Sequence, residues 1–179
     1  MEAWRKKKGL MRSTPKYTTV FDPMEREVIG DLTATVSEAL IARAQSAPKD
    51  EFAEMMGVST GHTEAPEDPK LARLLPDFER EGDEEFDGDN GLLRSLHEND
   101  IIKAKLMNLQ VVNEALGPTG GVEVTIDEDD AHPFIAALND MRLYVSADTS
   151  GGEGAQQERE MLVEWLAFCQ DSLLEALMS

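Results

Sequence analysis

Arg142 stands among Phe134, Ile135, Leu138, Met141 and Val145, which recur at spacings of three and four, so a guanidinium occupies a helical stripe that should be apolar. Glu98 and Lys105 are placed the same way among Ile101, Ile102, Leu109, Val112 and Leu116, and Glu25 lies between Met24, Val28, Ile29 and Leu32. A charge aimed at a core must be paired and hydrogen-bonded, because leaving it alone there is costly or forces it to neutralise. With Arg94 and Asn139 added, the candidate polar cluster is Glu25, Arg94, Glu98, Lys105, Asn139 and Arg142, contributed by separate helices. Two chemistries fit this set. One is a recognition site for an anionic group or a partner's terminus, with Arg142 as a bidentate fork. The other, preferred here, is an internal ion network that fixes helix register. In the network reading Arg142 has an acid partner, and Arg142→Ala should cost on the order of 3 kcal/mol if that partner is left buried. Glu25 has a further role as the acid of a capping box.

Other chemistries find little support. Asp87, Asp89 and Glu98 are spaced like parts of a calcium loop, but Gly91 and Leu92 replace the third ligand and the turn glycine. His62, His97 and His132 are isolated, so no metal site is expected. The segment Gly117-Pro118-Thr119-Gly120-Gly121 lacks the Lys-Ser/Thr of a phosphate loop and leads into a strand, so it is read as a turn. Cys169 is the only cysteine and recurs with the apolar set of the last helix; an inert buried thiol is expected, and no nucleophile, catalytic residue or cofactor site is assigned.

The elements that must position these residues are mostly helices. Residues 4–8, 10–12 and 16–21 read as strand-like pieces of a hairpin. Asp22-Pro23-Met24-Glu25 combines a cap, a proline at the first helical position and the acid three residues on, opening a helix to about Ala44. A short helix fits 51–56, and Asp68-Pro69 opens a short turn that Pro76 ends. Residues 92–116 predict a helix, broken near His97, that Gly117-Pro118 stops. Val122, Val124 and Ile126 alternate as a strand. The next helix is placed from about Asp129, so that Pro133 falls in its first turn. Met161, Leu162, Trp165, Leu166, Phe168, Cys169, Leu173, Ala176 and Leu177 give the last helix a wide apolar face. The fold class is therefore mainly α: a helical bundle of about four long helices with a small antiparallel β element (α+β). Residues 1–179 are read as a single domain without internal repeats, with flexible stretches at 46–67, 77–90 and 148–157.

Charge narrows the partners. The net charge is −19, yet residues 1–20 carry +5 and the remainder −24. Such a body repels nucleic acid and anionic membrane over most of its surface, and only the N-terminal stretch could attract a polyanion. Neither a signal peptide nor a stretch of ~20 apolar residues is seen, so a cytoplasmic protein without membrane attachment is expected.

Four stretches resemble an uncharacterised actinobacterial family, domain of unknown function 2017. They are Asp68-Pro69-Lys70-Leu71-Ala72-Arg73-Leu74-Leu75-Pro76-Asp77, the segment from Leu93-Arg94 to Lys105, Ala137-Leu138-Asn139-Asp140-Met141-Arg142-Leu143, and Trp165-Leu166-Ala167-Phe168-Cys169-Gln170-Asp171-Ser172-Leu173. The similarity spans nearly the whole chain and departs from the family pattern at His97 and in the loop 46–67. The resemblance implies the fold but no established activity; frequent encoding of members near an adaptor of the Clp protease hints at regulated proteolysis. The expectation is a non-catalytic regulatory or protein-interaction domain that binds another protein through its acidic face or a groove beside the last helix, with a homodimer left open. The alternative is a nucleic-acid-linked transcriptional regulator using the basic N-terminal hairpin, which the net charge disfavours.

Overall fold

The structure is a computed structural model, and it describes residues 1–7, 14–49, 51, 55–57, 60–79 and 86–179, the side chains of 86–89 excepted. Asp22 starts helix α1 (Pro23–Gln45) with a reciprocal capping box. Its Oδ1 accepts from the Glu25 backbone N–H at 2.8 Å, while Glu25 Oε2 accepts from the Asp22 N–H at 2.8 Å. Asp68 caps the short α2 (Pro69–Leu74) in one direction only, accepting from the Lys70 N–H at 2.9 Å.

Helix α3 spans Phe86–Leu116 without the break expected near His97. His97 is exposed, with its ring 6.1 Å from that of Phe78, so the side chain stays on the helix surface and leaves the ladder intact. Helix α4 (Glu128–Ser146) begins one residue before the expected start, which puts Pro133 at its sixth position rather than in the first turn. The proline leaves the Asp129 carbonyl without its partner four residues on, and Asp129 lies where water reaches it. Helix α5 (Glu153–Met178) follows after the second glycine-rich stretch. The three-residue piece expected at 10–12 and residues 52–54 of the short helix expected at 51–56 lie outside the described residues, as do the side chains of Asp87 and Asp89 of the calcium-like spacing.

Three short strands complete the α+β architecture: β1 (Arg5–Lys7), β2 (Lys16–Val20) and β3 (Glu123–Asp127), antiparallel in the order β1-β2-β3. Tyr17 faces Ile126 and Thr19 faces Val124 across the central pair, so these four buried side chains share one face. Helix α4 is the hub, packed against α3, α5, α2, α1 and the sheet. Its Phe134, Ala137, Leu138 and Met141 are fully buried, as a helix enclosed on most sides requires. Trp4 packs edge-on to Phe134 at 5.4 Å, and its backbone N–H donates to Ser172 Oγ at 2.8 Å, fastening the first strand to α5. Among the described residues no helix is long and apolar enough to cross a membrane.

Candidate functional site

The candidate residues settle into separate places rather than one cluster. The first is a buried ion network at the far end of α1. Arg94 and Glu98, one turn apart on α3, are each 1% exposed, and Arg94 Nη1 donates to Glu98 Oε2 at 2.7 Å. Arg94 also donates to the Leu75 carbonyl at 3.1 Å and, through Nη2, to Asp77 Oδ1 at 2.7 Å. Arg43 reaches the same carboxylate from α1: Nε donates to Glu98 Oε1 at 2.7 Å and Nη2 to Oε2 at 3.2 Å. Its Nη2 also donates to the Glu64 carbonyl at 2.5 Å. Two guanidiniums and two carboxylates thus balance, and both oxygens of Glu98 are occupied. The network ties α1, α3 and the chain around residues 64–77 together. The Gly61 N–H adds a bond to the Ser95 carbonyl at 2.7 Å, and His62 Nε2 lies 2.9 Å from the Arg43 carbonyl. A side-chain hydrogen bond from Asn90, then the Arg94 guanidinium, hold the Asp77 carboxyl below the usual carboxylate range.

The second place lies about 10 Å along α3, two turns on. There Lys105 Nζ donates to Asp140 Oδ1 of α4 at 2.7 Å, with the carboxylate 6% exposed. Burial raises the Asp140 pKa, against the hydrogen bond and charge of Lys105.

Arg142 departs from expectation. It is half-buried, donates from Nη2 to Asn139 Oδ1 at 3.1 Å on its own helix, and has no acid partner among the described residues. The buried stripe of α4 runs through Ala137, Leu138, Met141, Tyr144 and Val145, and Arg142 lies on its edge, where a long stem packs while the head stays near water.

Glu25 is about 27 Å along α1 from Arg43 and belongs to a different site. Its Oε1 accepts from Trp165 Nε1 at 3.2 Å and contacts the Met1 α-amino group. Asp22, Met24, Glu25, Val28, Met161, Leu162 and Trp165 line a groove of about 260 Å³ between the start of α1 and α5. Its lining is mostly apolar, Met24 is 74% and Met161 56% exposed, and its charged members are both acids. Asp31 continues the Met24 and Val28 side of α1, and Glu158 precedes Met161 and Trp165 on the same side of α5; both are exposed.

Sequence reasoning missed Arg43, Asp77, Asp140 and Arg26. Arg43 had a signal: it continues the stripe of Ile29, Thr33, Val36 and Leu40 that α1 buries. Arg26 donates to the carbonyls of Leu116, Gly117 and Gly121 at 2.9, 2.6 and 3.0 Å, capping the last turn of α3. Gly117, at φ 63°, takes the left-handed conformation that ends that helix.

Comparison with known proteins gives the chain its kinship. The protein named oxidative stress regulator AosR in Mycobacterium tuberculosis and Mycobacterium bovis is 38% identical over 144 residues, which cover 74% of this chain and 64% of the relative. A Mycobacterium leprae protein named putative oxidative stress regulator AosR is 32% identical over 183 residues, covering 92% of this chain and 84% of that one. The chain thus spans less than two thirds of the first pair's length. No solved structure matches. Residues 1–177 match the family described as domain of unknown function, DUF2017. The chain belongs to this actinobacterial family.

Proposed function

We propose that this chain is a non-catalytic, cytoplasmic regulatory protein that responds to oxidative stress by binding another protein, and that the groove between α1 and α5 is where the partner docks. The observation that carries this reading is the groove itself: Met24, Val28, Met161, Leu162 and Trp165 make an adaptable apolar floor, and Asp22 and Glu25 are its charged members. Its occupant is a basic amphipathic helix of a partner protein, whose apolar face meets the methionines and whose lysines or arginines meet Asp22, Asp31 and Glu158. A second copy of this chain fits less well, since each copy carries a net charge of −19 and would bring the same acids to the contact. The regulatory sense is supported by the names of the mycobacterial relatives.

The nucleic-acid alternative loses ground because the described basic residues of the hairpin are engaged by the chain itself. Lys7 pairs with Glu123 at 3.2 Å, Lys16 with Asp127 at 3.4 Å and Arg5 with Glu2 at 3.5 Å. The test uses a fluorescent helical peptide of leucine and lysine as probe. Docking in the groove predicts at least about tenfold weaker binding to Met24→Asp/Met161→Asp. Unspecific attraction to an acidic protein would instead strengthen with the two added charges, and that result would refute the site.

A further inference from the structure

We infer that Met24 and Met161 are the oxidant-responsive groups of this chain, and that their conversion to sulfoxides closes the groove to its partner. The inference rests on the groove being the docking site. Thiol chemistry is the usual route by which a protein senses peroxide, and here it is blocked: Cys169 is fully buried, and burial pushes its pKa up to about 12, so almost no thiolate exists at neutral pH. A thioether needs no deprotonation, only access. Met24 and Met161 are 74% and 56% exposed, whereas Met141 in the core is 0% exposed. Met55, Met56, Met107 and Met178 are also exposed but do not line the groove, so their oxidation leaves its floor unchanged.

The step needs only a hydroperoxide. A sulfur lone pair attacks one peroxide oxygen, the O–O bond breaks, that oxygen stays on sulfur, and the departing oxygen leaves with the proton as water or an alcohol. Sulfur loses two electrons and the peroxide gains them. The product is a strong hydrogen-bond acceptor on a formerly apolar wall. The groove offers it no free side-chain donor. Trp165 Nε1–H is already given to Glu25, and the other polar side chains in the lining are the carboxylates of Asp22 and Glu25, which repel a sulfoxide oxygen. The sulfoxides must keep their water, so an apolar helix face no longer seats there. Methionine sulfoxide reductases reverse the change, which makes the wall resettable.

The experiment treats the full chain with hydrogen peroxide, maps sulfoxides by peptide mass spectrometry, and measures binding of the leucine–lysine peptide together with tryptophan emission. The expected result is sulfoxide at positions 24 and 161 with Met141 spared, peptide affinity reduced about tenfold or more, and recovery after sulfoxide reductase. Met24→Leu/Met161→Leu removes both thioethers, so whatever affinity this variant has before peroxide should be the same after it. Equal loss in this variant, or full sulfoxidation of the parent at both positions without loss, overturns the inference. Should the peptide fail to bind even the reduced parent, the docking reading falls by itself. The oxidation claim is then decided by Trp165 emission, which must shift with sulfoxide formation in the parent and not in the double variant.

Discussion

Removing the Glu98 carboxylate should be among the most damaging single changes available to this chain. Arg94 and Glu98 are each 1% exposed and Arg43 10%, and two guanidiniums reach the one carboxylate at 2.7 Å. In Glu98→Ala, Arg94 keeps Asp77 and the Leu75 carbonyl, and Arg43 keeps the Glu64 carbonyl, so the two cations face each other across a small void with one carboxylate fewer. Breaking a buried pair from one side typically costs about 3–5 kcal/mol. For a chain of this size each kcal/mol moves Tm by about 2–4 °C, so a fall of roughly 6–20 °C is expected in a thermal melt followed by circular dichroism. The companion variant is Arg43→Met/Arg94→Met/Glu98→Leu, which removes the whole buried set and should recover most of the loss, since apolar replacement of an ion network is often neutral or stabilising. Asp77, 41% exposed, then returns to water. A Glu98→Ala melt within about 2 °C of the parent would show that the guanidiniums relax into solvent and would refute the network as a structural staple. A triple variant as unstable as the single one would refute the accounting of charge.

Three further results are expected. The Asp77 pKa is lowered in the folded chain, so its contribution to stability is present above the unfolded value of about 3.9 and is lost as pH falls through the folded value. Urea unfolding of Asp77→Asn across a pH series should therefore show a shallower acid loss below about pH 4 than the parent. Asp140, raised by burial, works in the opposite sense: the folded chain binds its proton first, so this group favours folding increasingly as pH falls through its folded value and withdraws that contribution as pH rises. Cys169 should resist a disulfide reagent such as DTNB at pH 8 in the native protein and react promptly in urea; fast native labelling would contradict its burial. Arg142→Ala should lower stability by less than about 1 kcal/mol, because it forfeits one hydrogen bond on its own helix and some stem packing rather than a buried ion pair; a loss near 3 kcal/mol would restore the hidden acid partner.

Much of the fold was legible because it rests on local rules. Asp22-Pro23 and Asp68-Pro69 announce helix starts through groups two or three residues apart, and the alternation of Val122, Val124 and Ile126 fixes a strand face. That Glu98, Arg94 and Lys105 need partners was also legible, since their stripes are apolar. Who the partners are was not, because Arg43 and Asp140 come from other helices and Asp77 from a loop, and only the packing of those elements brings them within reach. Arg142 failed for a related reason: spacing places a residue within about one position of a stripe, and at the edge a long side chain escapes. The groove was foreseen only as a place beside the last helix, since its other wall belongs to the start of α1.

The small sheet carries a kinetic consequence. Lys16 to Val20 pair with Glu123 to Asp127, and Trp4 bonds to Ser172 across 168 positions of chain, whereas α4 and α5 join through a short connection. Contacts so distant in sequence are slow to find, so the α4–α5 hairpin is expected to assemble early and the strands last. Until that final closure Tyr17, Val124 and Ile126 lie bare on unmated edges. In pulsed hydrogen exchange, amides of the sheet should acquire protection after those of the last two helices, making the strands the latch of the refolding reaction.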